Sequence, residues 1–450
     1  MLITRTFRYT WLAFIHKIEE RRQTGMTIFL LALLVILATR LIVPDRFFQT
    51  HEPPDYVKFY RPVALNILDG AGIVTDDGEV AVRYPPGFPV LLAGTFGLGN
   101  VLGVDNTTAA LTLTTICLAL VPVMVFYLAR TLFGLLAGWL ASLLWITYPF
   151  ALRLIGQPFS EPPFLVVFIG ALWLLWHTLL NRRERYINYL LYGLLIGVAM
   201  LIRPAAIGMG VVSVLIIWIA GRSLHVRGRV IASALVLAGN LIAVMPWQLY
   251  ASARTDETVL LSSGGLPSTV FGVMFAVTER PYHPNVIGIP DDVIDLQSRI
   301  YERDSAGDIK TLSGFVGLMW DELQTDTMAV IKLMAIKTLR SWYATSSTQQ
   351  DNLILVLQIP YLLLAVTAFV TVWRRHPQQR TIVTSLLLIV LYLWALTTVA
   401  LPLLRYMMPA MAIIMVWVAP ALVIWLKLEL SPPHTQPEPN GLSPGGGALR

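Results

Sequence analysis

The run MTIFLLALLVILATRLIVP, residues 26–44, holds a single charged side chain. A helix needs about 20 such residues to cross the hydrocarbon of a bilayer. Comparable runs occupy 108–129, 134–150, 160–180, 186–203, 204–221, 229–247, 353–373, 381–401 and 406–427. In lipid every backbone N–H and C=O must be satisfied within the segment, so these runs fold as helices. A shorter Gly-rich stretch, 88–104, opens on Pro85-Pro86-Gly87 and either crosses or lies along the interface. The expectation is an all-α polytopic membrane protein with about 10–11 transmembrane helices. At 56% hydrophobic and 13% charged residues, the 450-residue chain carries more apolar surface than one water-soluble core hides.

The formal net charge of +6 does not point to nucleic acid, because Lys and Arg fall in short clusters between apolar runs. With 88–104 not crossing, Arg5 to Arg22, Arg130, Arg182, Arg183 and Arg185, Arg222, Arg227 and Arg229, and WRRHPQQR share one side. That is the cytoplasmic side by the positive-inside rule. The opposite, outer side then receives the loop 45–87, the GQPFSEPP junction around Glu161, and the polar segment 248–350. The organisation follows: a basic cytoplasmic segment 1–25 without signal-peptide features, a transmembrane module 26–247, the outer segment 248–350, further spans over 351–428, and a Pro/Gly-rich tail 429–450 expected to be disordered. Within 248–350, the stretch 311–343 has apolar residues at helical spacing, as for one or two helices on the membrane surface. Cys117, the single cysteine, lies in an apolar run and supports neither a disulfide framework nor a thiolate metal site.

Chemistry-bearing residues gather in the outer segments. Asp55 follows Pro53-Pro54 and opens a helical pattern, where a carboxylate serves as a helix cap or, just outside the bilayer, as a general base. Glu161, set among Pro158, Pro162 and Pro163, has the same two readings, cap or active-site carboxylate. Arg203 and Arg405 stand at outer ends of spans, where arginine either snorkels to headgroups or binds phosphate through its fork of donors. His51, Glu52 and Asp55 are of the types that ligate a divalent cation, a reading held open beside that of a solvated loop. No other cofactor is implied. Trp247, Tyr250, Trp320, Trp342 and Tyr343 suit an interfacial aromatic belt, and Arg83-Tyr84 an anchor for the loop.

The order Asp55, Tyr60, Ala64, Leu68, Gly70, Gly72 and then Pro85 to Pro89 (PPGFP) resembles the first outer loop of GT-C glycosyltransferases. The resemblance is strongest to bacterial relatives of protein O-mannosyltransferases and of the lipid A aminoarabinose transferase. It continues through RTLFG at 130–134, Ser160-Glu161, LIRP at 201–204, Pro246-Trp247, Ser263 to Gly265 and RYMMP at 405–409. It implies a GT-C fold with outer-face juxtamembrane helices in a bacterial plasma membrane, with the active site facing outside. It also implies transfer of a sugar, with inversion, from a polyprenyl-phosphate donor to a glycan, lipid or protein acceptor. Asp55 would be the base, with Glu161 as second carboxylate, and Glu52, Tyr60, Arg203, Arg405 and Tyr406 would contact substrate. The chain departs from the pattern where Pro246-Trp247 is followed by Gln-Leu-Tyr rather than by an Arg-Asn pair, and where Asp55 lacks an acidic neighbour. A lipid-linked sugar transporter and a catalytically silent scaffold are the competing classes; a transporter would place ionisable residues at mid-span, where these runs have almost none.

Overall fold

The computed structural model of the protein describes residues 23–44, 53–181, 185–255, 258–277, 289–345 and 351–428. Apart from one isolated bridge between Val74 and Val80, their regular structure is helical. The helices are α1 (Thr24–Ile42), α2 (Arg61–Leu68), α3 (Gly87–Leu102), α4 (Asn106–Phe133), α5 (Leu135–Ile146), α6 (Pro149–Leu152), α7 (Glu161–Leu180), α8 (Tyr186–Ile202), α9 (Met209–Ala220) and α10 (Val226–Thr255). They continue as α11 (Gly265–Val277), α12 (Asp291–Ser305), α13 (Leu312–Thr325), α14 (Thr327–Arg340), α15 (Asp351–Arg375), α16 (Arg380–Val399) and α17 (Met408–Trp425). Seven of the described segments are long and apolar enough to cross a membrane, and shorter apolar helices lie between them. The protein is an all-α polytopic membrane protein.

Burial sorts these helices as their sequences require. Every residue of α17 from Met408 to Ala421 is buried, so this all-round apolar helix is the central pillar, packed against α5, α15 and α16. By contrast α1 exposes Leu30, Leu34, Leu37 and Leu41 along one side, the pattern of a helix turned to lipid. The crossing of α8 and α10 is the most extensive helix pair. A methyl on Gly193 would collide with the backbone of Val236, so glycine is what lets the two axes approach.

The stretch 88–104 does not cross. The start of α1 lies against Tyr127, near the end of α4, and Arg40, near the end of α1, lies against Gly156 in the segment leading to Glu161. So α4 begins at the Glu161 end of the bundle and runs away from it. Helix α3 starts at that same end, with Gly87 against Leu201 and Ile202, and stops three residues before α4. It therefore leaves and returns to one end, the arrangement that the charge pattern assumed. Proline shortens two of the apolar helices: α5 stops before Pro149, and Pro204 with the left-handed Gly208 delays the start of α9.

Helix α10 runs on to Thr255, beyond the expected span end at 247, and the polar segment that follows contains four helices, of which α13 and α14 are the two within 311–343, where one or two are expected. Those four share a small core of Val270, Val293, Leu296, Phe315 and Leu333. Ion pairs Arg299–Glu322 at 2.8 Å and Lys332–Asp292 at 2.6 Å bind them together on the outside. Lys337 joins this layer to the bundle. It is 2% exposed and donates to the carbonyls of Val399 and Ala400 at 2.9 and 3.2 Å, at the C-terminal end of α16.

Burial pushes the Lys337 amine down to about 7. An unfolded lysine holds its proton to a pKa of about 10.4. Between these values the folded state binds fewer protons than the unfolded one, so stability rises with pH. Thermal unfolding followed from pH 6.5 to 10 is expected to show this rise in the wild type and a flatter profile in Lys337→Met. A slope that survives unchanged in the variant would assign it to other groups.

Candidate active site

Local sequence chemistry brings the charged residues together. Asp55, Glu161 and Arg203 each stand beside a proline at a helix boundary, and Arg405 lies between Pro402 and Pro409 in the turn that leads into α17. Pro204 bars Arg203 from helical dihedrals, so Arg203 is extended (φ −148°, ψ 137°) and its side chain leaves the end of α8. Pro162 and Pro163 occupy the first turn of α7 and leave Glu161 at its start. After α16 the chain runs through Leu401 to Leu403 into a single 3-10 turn, Leu404–Met407, which carries Arg405 and Tyr406 into α17 with Pro409 in its first turn. Asp55 follows Pro53-Pro54 and enters a π-helical turn, Tyr56–Tyr60. Gly87, after Pro85-Pro86, allows α3 to abut the end of α8, because a Cβ there would lie 2.6 Å from the Leu201 carbonyl.

The result is a row of alternating charge. Arg405 Nη2 lies 3.8 Å from Asp55 Oδ2, and Arg405 Nε lies 3.7 Å from Glu161 Oε1. Arg203 Nη1 lies 2.8 Å from Glu161 Oε2 and donates to Ser160 Oγ at 2.7 Å. Tyr406 sits under both cations, each guanidinium 5.0 Å from its ring centre, and its hydroxyl accepts from Arg405 Nη2 at 3.1 Å. Access differs sharply along the row: the side chains are 36% exposed at Asp55, 31% at Arg405, 15% at Arg203 and 3% at Glu161. Asp55 and Arg405 can meet a ligand, whereas Glu161 is enclosed between the two arginines. Glu161 Oε1 and Arg405 Nε are buried without a hydrogen-bond partner, since 3.7 Å is too long for one.

The capping readings can now be tested. Asp55 makes no side-chain capping bond; its Oδ1 instead accepts the Tyr84 hydroxyl at 2.8 Å. Tyr84 is therefore more than a loop anchor. Its ring packs edge-on to Phe59 (5.1 Å) and tilted on Tyr60 (5.2 Å), and Tyr60 packs edge-on to Phe88 (5.0 Å). Burial, then the Asp55 charge and hydrogen bond, push the Tyr84 phenol up to about 12, so it stays a donor at neutral pH. Burial also drives the Tyr60 hydroxyl far above the usual tyrosine range. The 258–264 strap closes over this loop, with Ser263 N donating to Val82 O at 2.8 Å.

Asp55, Glu161, Tyr60, Arg203, Arg405 and Tyr406 thus form one cluster. His51 and Glu52 lie outside the described residues. No three His, Cys, Asp or Glu side chains converge on a point among the described residues, and both carboxylates of the row are engaged by arginine. The described residues by themselves do not make a divalent-cation cage.

Residues 84–250 match the sequence profile of the dolichyl-phosphate-mannose-protein mannosyltransferase family. The fold is similar to that of the archaeal oligosaccharyltransferase AglB from Archaeoglobus fulgidus in complex with an inhibitory peptide and a dolichol-phosphate. There the TM-score is 0.57 and the identity 13%, over 90% of this chain and 51% of that one. The apo form of the A. fulgidus enzyme gives the same values, and its complex with Zn and sulfate gives a TM-score of 0.52 at 14% identity, over 89% and 49% of the two chains. The chain spans about half the length of these solved structures. No curated protein sequence matches it. Fold and profile together make the chain similar to membrane glycosyltransferases of the GT-C type. Within that class the matched segment is similar to the mannosyltransferase family.

Proposed function

We propose that the protein transfers a sugar from a polyprenyl-phosphate donor to an acceptor hydroxyl on the outer face of the membrane, with inversion at the anomeric carbon. The observation that carries this reading is the half-buried pair Asp55 and Arg405, a carboxylate and a cation 3.8 Å apart at one end of the bundle. The basic residues Arg130, Arg185, Arg229, Arg374 and Arg375 belong to the opposite helix ends, which supports an outward-facing site.

In this mechanism Asp55 takes the proton of the acceptor hydroxyl as its oxygen bonds to the anomeric carbon. The bond from that carbon to the phosphate oxygen breaks, and its electron pair leaves on polyprenyl phosphate. Negative charge grows on the phosphate, and Arg405 is placed to stabilise it. Glu161, paired with Arg203, which Ser160 also holds, braces Arg405 from behind, and Tyr406 supports both guanidinium planes. The aromatic wall of Tyr60 and Tyr84 offers a face for a sugar ring. The acceptor is a glycan, a lipid or a protein.

Purified protein in lipid, supplied with a panel of polyprenyl-phosphate sugars and candidate acceptors, is expected to turn over one donor and release polyprenyl phosphate. If donor is bound and moved across the bilayer without cleavage, the transporter class takes its place. Tyr84→Phe is expected to lower turnover about 3- to 10-fold with KM little changed, the effect of one lost hydrogen bond to a carboxylate. Unchanged turnover would confine Tyr84 to packing.

A further inference from the structure

Beside the charged row lies a cavity of about 60 Å³ that the reading above leaves unused. Its walls include Phe150, Leu154, Phe159 and Met408, and its polar lining includes Arg153, Thr345 and Arg405. It has room for several waters, and so for one phosphate group. Arg405 therefore faces two ways, toward Asp55 on one side and into this cavity on the other.

Arg153 follows the short helix α6 and has a carboxylate within electrostatic reach, Asp351. That carboxylate is already engaged. Asp351 Oδ2 accepts from Arg340 at 3.0 Å, and Oδ1 accepts from the amide and hydroxyl of Thr345 at 2.9 and 3.0 Å. Among the described residues Arg153 has no hydrogen bond and no carboxylate within ion-pair distance, whereas Arg203, Arg340 and Arg405 each have one. A partly buried, unpaired guanidinium on a cavity shared with a second one is a site for an anion. The apolar walls say which kind: an anion carried on a hydrocarbon chain.

We propose that Arg153 and Arg405 together grip the phosphate of a polyprenyl phosphate in this cavity. The inference rests on the donor class proposed above and names the residues that hold its phosphate. It also gives Arg203 a different part, since the Arg203 donor Nη1 is committed to Ser160 and Glu161. Arg153 acts as a binding residue, Arg405 as the cation shared between binding and departure of the phosphate.

The test is isothermal titration of the full-length protein in nanodiscs with farnesyl phosphate, farnesol and inorganic phosphate, with the heat of empty nanodiscs subtracted. Wild type is expected to bind farnesyl phosphate more tightly than either of the others. Arg153→Gln should weaken farnesyl phosphate at least about tenfold, leave farnesol unchanged, and be partly rescued by Arg153→Lys. Should Arg153→Gln fail to fold, Ala344→Leu, which fills the cavity from a buried neutral position, should weaken farnesyl phosphate in the same way. Wild-type affinity in Arg153→Gln, or in Ala344→Leu, would overturn the site while leaving the donor class standing. No preference of the wild type for farnesyl phosphate over farnesol would overturn both. Inorganic phosphate binding as tightly as farnesyl phosphate would make this a free-anion site and remove the lipid from the assignment.

Discussion

Asp55→Asn is expected to lower sugar transfer by about 10²- to 10⁴-fold, the range associated with a positioned general base. The substitution removes little else. The asparagine carbonyl still accepts the Tyr84 hydroxyl, and the lost ion pair to Arg405 is 3.8 Å long and more than a third exposed on the Asp55 side. Such a pair contributes about 0–1 kcal/mol, so thermal unfolding should shift only slightly. Loss of the anion also frees Arg405 for phosphate, so donor KM should stay level or fall while kcat collapses. Tyr84 is no substitute base, since its phenol, with a pKa of about 12, keeps its proton at neutral pH. Steady-state kinetics of wild type and variant, with the donor identified in the panel, check this. Equal kcat in the two proteins would remove Asp55 from proton transfer.

The helical spans were readable because crossing a bilayer demands only length and apolarity, which a sequence displays directly. What it hides is how such helices end. The shortness of α5 and α9 comes from Pro149, Pro204 and Gly208, and α10 carries on through a hydropathy drop at 248 because helical hydrogen bonding does not depend on lipid. In the layer made by α11 to α14, the pattern in 311–343 was visible. Helix α12, DDVIDLQSRIYERDS, presents only a thin apolar stripe of Val293, Leu296 and Ile300, which becomes meaningful once α11, α13 and α14 pack on it.

The same contrast holds at the site. Asp55 and Arg203 were legible because each sits at a helix end beside a proline, and Arg405 because it stands at the start of a long apolar run, positions that sequence marks plainly. Their pairing was not, since residues 55, 161, 203 and 405 are joined only by the tertiary packing of four separate segments. Tyr84 read as an anchor because nothing local says that its hydroxyl reaches a carboxylate 29 positions earlier. Arg153 had no signal of its own; its meaning comes from the cavity that Leu404 and Arg405 complete from the other end of the chain.

Removing the carboxylate at the centre of the row should have the largest effect on stability. Glu161 is 3% exposed and holds Arg203 at 2.8 Å and Arg405 at 3.7 Å. In Glu161→Ala the two guanidinium groups face each other across a space that water hardly reaches, and a charge left without its partner in such a place costs about 3–5 kcal/mol. A clear drop in the thermal unfolding midpoint is expected, with loss of activity following from disorder of Arg405. Adding Arg203→Met to Glu161→Ala removes the stranded cation and fills part of the space, so the double variant should regain most of the lost stability. Activity should not return with it, because Arg405 is still unbraced. If the double variant recovers stability and activity together, Glu161 serves only to neutralise Arg203. If Glu161→Ala unfolds at the wild-type temperature, the carboxylate does not hold the arginines at all, and the bracing of Arg405 has to come from Tyr406 and Asp55.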